Sequence, residues 1–101
     1  MLGATAAAFA VGVSSCGAHP AAGERYELMT HCGIEWAKIE GTFWRAEHPL
    51  SDGQGNPPPG WGNPFQSGTL TLTGATARFT SDAGTVTFRR TSRTRPPFLC
   101  S

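Results

Sequence analysis

Residues 68–89 alternate apolar and polar side chains in three short runs separated by glycine-bearing turns. Such a run commits a chain to antiparallel β-structure, because side chains with a period of two occupy alternate faces of a strand. In Gly68–Thr73, Leu70 and Leu72 share one face, and Thr69, Thr71 and Thr73 the other. Gly74-Ala75 follows, a pair suited to a type II′ hairpin. Thr76–Thr80 alternates again, with Ala77 and Phe79 inward and Arg78 outward. Ser81–Gly84 makes a second turn ending in Gly. Thr85–Arg89 then places Val86 and Phe88 inward. The pattern predicts a three-stranded meander.

The earlier half is less regular. Glu24–Cys32 carries Tyr26, Leu28 and Thr30 on one face and reads as a strand. Ile34–Glu40 and Thr42–Ala46 read as one long strand broken at Gly41. Ile34 and Trp36 have one parity and Ile39 and Phe43 the other, which a bulge between Lys38 and Gly41 would reconcile. A single helical turn over 34–39 is the alternative. The expected fold is all-β: about five antiparallel strands in a small barrel or two-layer sandwich, with one long Gly/Pro-rich loop. Only 15% of the 101 residues are charged, against roughly a quarter in ordinary soluble domains. The formal net charge of +1 gives no basic footprint for nucleic acid.

Residues 2–13 carry no charge and have the length of a signal-peptide apolar stretch rather than a membrane span. Val13-Ser14-Ser15-Cys16 follows, and resembles the bacterial lipobox. In that family the Cys receives a diacylglyceryl group and becomes the first mature residue. Two acyl chains suffice for stable anchoring where one does not. No Lys or Arg precedes the apolar stretch, a departure from the usual signal pattern. An ordinary secretory signal, or an apolar leader with a chance Cys, are the other readings. The expected organisation is a signal peptide at 1–15, a tether at 16–24 and a β domain at 25–101.

Of the three Cys, lipidation of Cys16 leaves Cys32 and Cys100, an even pair for an oxidising compartment. A bridge between them would close nearly the whole domain and contribute roughly 4 kcal/mol on chain-entropy arithmetic. A mature chain this short is marginal without such a staple. Two weaker readings use the same thiols. His31 beside Cys32 suggests a nucleophile, but neighbours on a strand point to opposite faces. Zinc held by Cys32, Cys100, His31 and His48 lacks any short ligand spacing.

Residues 48–67 form a long irregular connection whose Trp61 and Phe65 argue against plain disorder. Tyr26-x-Leu28-x-Thr30-His31-Cys32-Gly33-Ile34, Trp44-x-Ala46, Gly55-Asn56-Pro57-Pro58-Pro59-Gly60-Trp61-Gly62-Asn63-Pro64 and Gly68-Thr69-x-x-Leu72 together resemble a group of small exported or membrane-attached proteins of high-GC Gram-positive bacteria. The resemblance spans about residues 25–90. It implies an exported envelope protein at the outer face of the cytoplasmic membrane and implies no activity.

Trp61 and Phe65, with Trp44 on a neighbouring strand, are the candidate binding residues. Aromatics anchor interfaces and stack on sugar rings, so a cell-wall glycan or an envelope protein is the expected partner, beside the membrane itself. The competing reading has Trp61 plugging the open end of the barrel. Charge is also uneven. Residues 17–52 hold three basic and six acidic side chains, and residues 78–101 hold five Arg and one Asp. Arg89, Arg90, Arg93 and Arg95 either face an anionic surface or pair with Glu24, Glu27 or Glu35. No catalytic residue, cofactor or metal is expected. The alternative function is a small envelope hydrolase using His31 and a carboxylate.

Overall fold

A computed structural model describes residues 23–97. They form six strands: β1 (Glu24–Met29), β2 (Ile34–Ile39), β3 (Thr42–Leu50), β4 (Phe65–Thr73), β5 (Thr76–Ser81) and β6 (Gly84–Arg90). The expected signal peptide, Cys16, nearly all of the tether and Cys100 lie outside the described residues. Glu24, the last residue assigned to the tether, already belongs to β1. Among the described residues no helix is long and apolar enough to cross a membrane.

All six strands join one antiparallel sheet in the order β1-β4-β5-β6-β3-β2. The meander follows the alternation. Thr73 pairs with Thr76 around Gly74-Ala75, and Ser81 pairs with Gly84 around Asp82-Ala83. That register turns Leu70, Ala77, Phe79, Val86 and Phe88 into the core, with Leu72 packed against it.

One correction concerns residues 34–46. They make a hairpin, not a broken strand. Glu40 and Gly41 have φ of +52° and +83°, the two positive angles of a turn whose twist suits paired strands. The bulge sits between Ile34 and Trp36 rather than near Gly41. It shifts the parity, so that Ile34, Ala37 and Ile39 face inward. Trp36 lies opposite Arg45 on the outer face. The described residues therefore hold six strands where about five were expected.

The sheet curls into a half-barrel around a single core, so the barrel alternative describes it and the two-layer sandwich does not. Its concave face buries Leu28, Ile34, Ile39, Trp44, Phe79 and Phe88 among others. The two edge strands, β1 and β2, are consecutive in the chain and face each other across a seam. Tyr26 Oη spans that seam and donates to the Lys38 carbonyl at 2.8 Å. Burial also raises the Tyr26 pKa.

Candidate functional site

The two most distinctive sequence pieces, Thr-His-Cys-Gly-Ile and Pro-Gly-Trp-Gly-Asn-Pro, are halves of one structure. The turn after β1 and the loop 51–64 are bonded together into a cap at one end of the half-barrel. Thr30 is fully buried. Its hydroxyl donates to the Gly62 carbonyl at 2.5 Å, and its amide to the Pro64 carbonyl at 2.8 Å. The His31 amide donates to the same Pro64 carbonyl, and the Cys32 amide to the Gly55 carbonyl at 2.8 Å. Cys32 adopts φ +74° to make this turn. Gly62 donates to Gln66 Oε1 at 2.6 Å, and a Cβ at Gly62 would collide with the Phe65 carbonyl.

Asp52 organises the far side of the loop. Its Oδ1 accepts from the Gln54 amide at 2.6 Å and the Asn56 amide at 3.2 Å. The Gln54 bond first, then those from Asn56, hold this exposed carboxyl below the usual aspartate range. A carboxylate that accepts several amides is stabilised in its charged form.

The three candidate binding residues part company here. Trp44 is 3% exposed and belongs to the core. Parity explains it, because Trp44 and Ala46 point to the concave face of β3. It therefore offers no face to a ligand, and its place in a surface platform is withdrawn. Its Nε1 finds no hydrogen-bond acceptor among the described residues, and the Arg90 guanidinium lies 6.0 Å from its ring. Trp61 is half-buried and stacks on Phe79, with centroids 6.4 Å apart and planes at 26°. Phe79 meets Tyr26 edge-on at 6.2 Å. Trp61 thus packs against the core as a partly buried side chain. Phe65 alone of the three faces outward, at 52% exposure.

Phe65 pairs across strands with Met29, which is 44% exposed. Sequence reasoning missed Met29, since no pattern ties the end of β1 to the start of β4 before the topology is known. Beside Met29 a groove of about 560 Å³ runs along the seam between Tyr26, Trp36, Phe43 and Pro96-Pro97.

Ion pairs engage some of the charges of the two segments. Arg89 contacts Glu47 and Arg45 contacts Glu35 at 3.2 Å. Glu27 accepts from Ser67 Oγ at 2.6 Å and lies 3.7 Å from Arg25. Arg93 and Arg45 lie over the Trp36 ring at 5.9 and 5.5 Å. Acidic and basic halves do meet, but through Glu47 and Arg89 rather than the glutamates expected. Among the described residues no three His, Cys, Asp or Glu side chains gather as metal ligands.

No protein-family model, curated protein or solved structure matches the chain.

Proposed function

We propose that this is a non-catalytic cell-envelope protein, exported, anchored by lipid on Cys16, closed by a Cys32–Cys100 bridge, and docking an envelope partner through Phe65 and Met29. The carrying observation is that exposed pair. Two large apolar side chains stand side by side on paired strands at the capped end of the sheet. Rigid strands and the bonded cap hold them in place, which lowers the ordering cost of an interface. Support for export comes from the apolar leader, the Val13–Cys16 lipobox and the resemblance to small envelope proteins. The aromatic of the 51–67 region that is left free to touch a partner is Phe65, not Trp61.

The hydrolase alternative needs His31 to find a carboxylate acting as its partner.

Co-sedimentation of the purified protein with cell-wall sacculi and with envelope vesicles tests the reading. Phe65→Asp is expected to weaken capture roughly ten-fold, the scale of an interface anchor. The same change should leave the melting transition nearly unmoved, as at other exposed sites. Equal capture by Phe65→Asp and Met29→Asp would remove this surface from consideration.

A further inference from the structure

The outer face of the meander is a threonine field with an arginine at its centre. The registers of β4, β5 and β6 set nine side chains in three cross-strand lines. Thr69, Thr80 and Thr85 make the first line, and Thr71, Arg78 and Thr87 the second. Thr73, Thr76 and Arg89 make the third. These positions alternate with the core residues and so face away from the core. Strands lie about 4.8 Å apart and like-facing residues about 7 Å apart, so the field measures roughly 10 by 14 Å. Its hydroxyls are not spent inside the fold. Thr30 and Thr91 each donate to a backbone carbonyl. None of the seven field threonines makes a side-chain hydrogen bond among the described residues. Arg78 stands apart from most other arginines in the same way. Arg25, Arg45 and Arg89 each meet a glutamate, and Arg90 and Arg93 lie over tryptophan rings. Arg78 is exposed and has neither kind of partner among the described residues.

We propose that this field binds a carboxylate-bearing polysaccharide, with a carboxylate on Arg78 and sugar hydroxyls on the threonines around it. A guanidinium presents a planar fork of donors that matches a carboxylate bidentately. A threonine hydroxyl both donates and accepts, as a sugar hydroxyl does. Charge selects an acidic glycan over a neutral one. The central cation has no acid of its own, and Glu27 and Glu47 on the flanking strands β1 and β3 are held by Arg25 and Arg89. The field carries no large apolar side chain to enter a bilayer, which separates it from a lipid-binding face. Paired strands on both sides hold the central strand rigid, so little order is lost on binding. Phe65 lies two like-facing positions before Thr69 on β4, about 14 Å away. Phe65 and Met29 therefore stay uncovered, and the proposal depends neither on their contact nor on the lipid anchor.

The test is an NMR titration of the full chain with three probes: trigalacturonate, neutral maltotriose and tripolyphosphate. Trigalacturonate is expected to shift the Arg78 side chain and the Thr71 and Thr87 amides, and to leave Phe65 and Met29 unmoved. Arg78→Gln should weaken it about ten-fold, the scale of a charged hydrogen bond. Thr71→Val/Thr87→Val should weaken it about five-fold, because it removes two hydroxyls and keeps the β-branched shape. Arg95→Gln, the same charge change outside the field, should have little effect. Melting curves of all variants should match the wild type, as at other surface sites. Three results would overturn the proposal. The first is no shift at the field, or equal binding by Arg78→Gln. The second is maltotriose binding as tightly as trigalacturonate, which would remove the role of charge. The third is tripolyphosphate binding as tightly with no loss in the threonine variant, which would leave a bare anion contact in place of a glycan site.

Discussion

Replacing Gly68 by Ala probes the packing of this sheet at its tightest point. Gly68 lies on β4 opposite Tyr26. A Cβ built there would sit 2.5 Å from Phe79 Cζ, 2.7 Å from Phe79 Cε1 and 2.5 Å from the Thr80 carbonyl oxygen. The ring can tilt only against Tyr26 on one side and Trp61 on the other. The carbonyl belongs to the neighbouring strand and cannot swing away. Overpacking a core costs typically 1–3 kcal/mol. With one obstacle in backbone and the other in a locked ring, the upper end applies, about 3 kcal/mol. A domain of this size has roughly 4–11 kcal/mol in all. The loss should lower Tm by roughly 12–24 °C. Thermal and urea unfolding of Gly68→Ala measure it, with Gly74→Asn as the control. Gly74 has φ +60° and nothing within 4 Å, and Asn tolerates that conformation. Adding Phe79→Leu to Gly68→Ala should recover only part of the loss, because the Thr80 carbonyl remains. A Gly68→Ala melt within a few degrees of the control would refute the close approach of β4 and Phe79.

Thr30→Val should cost about 1–3 kcal/mol in urea unfolding, because it strips the Gly62 carbonyl of its buried donor while keeping side-chain shape. Trp61→Ala should destabilise by about 2 kcal/mol, less than a fully buried Trp, and differential scanning calorimetry would show a retained but lower transition. Tyr26 carries a raised pKa, so the fold holds its proton more tightly than the unfolded chain. Its contribution is complete below about pH 10 and is lost as pH climbs from there through the folded-state value. Stability against urea should therefore fall less steeply with rising alkaline pH in Tyr26→Phe than in the wild type.

The meander was legible because its signal is local. Period-two alternation and two-residue turns fixed Leu70, Ala77, Phe79, Val86 and Phe88 without knowledge of the rest. The 34–46 hairpin was not legible, because Glu is an uncommon residue at a positive φ, and its turn carries no Asn-Gly or Asp-Gly signature. With that turn missed, the parity conflict of Ile34 and Ile39 looked like a bulge in the wrong place. The candidate site was half legible. The two motif pieces stood out in sequence, but only the bonds from Thr30 to Gly62 and Pro64 show that they brace each other. Trp44 and Trp61 attracted a binding role as aromatics. Burial at the concave face and stacking on Phe79 gave them to the core instead. Met29 became visible only once β1 was seen to pair with β4.

The measurement that bears most directly on the envelope reading is the intact mass of the protein from its native membrane fraction, before and after reduction and thiol alkylation. The account predicts a chain beginning at Cys16 with added acyl mass, and two thiols that appear only on reduction. An unprocessed chain with three free thiols would contradict both the anchor and the staple.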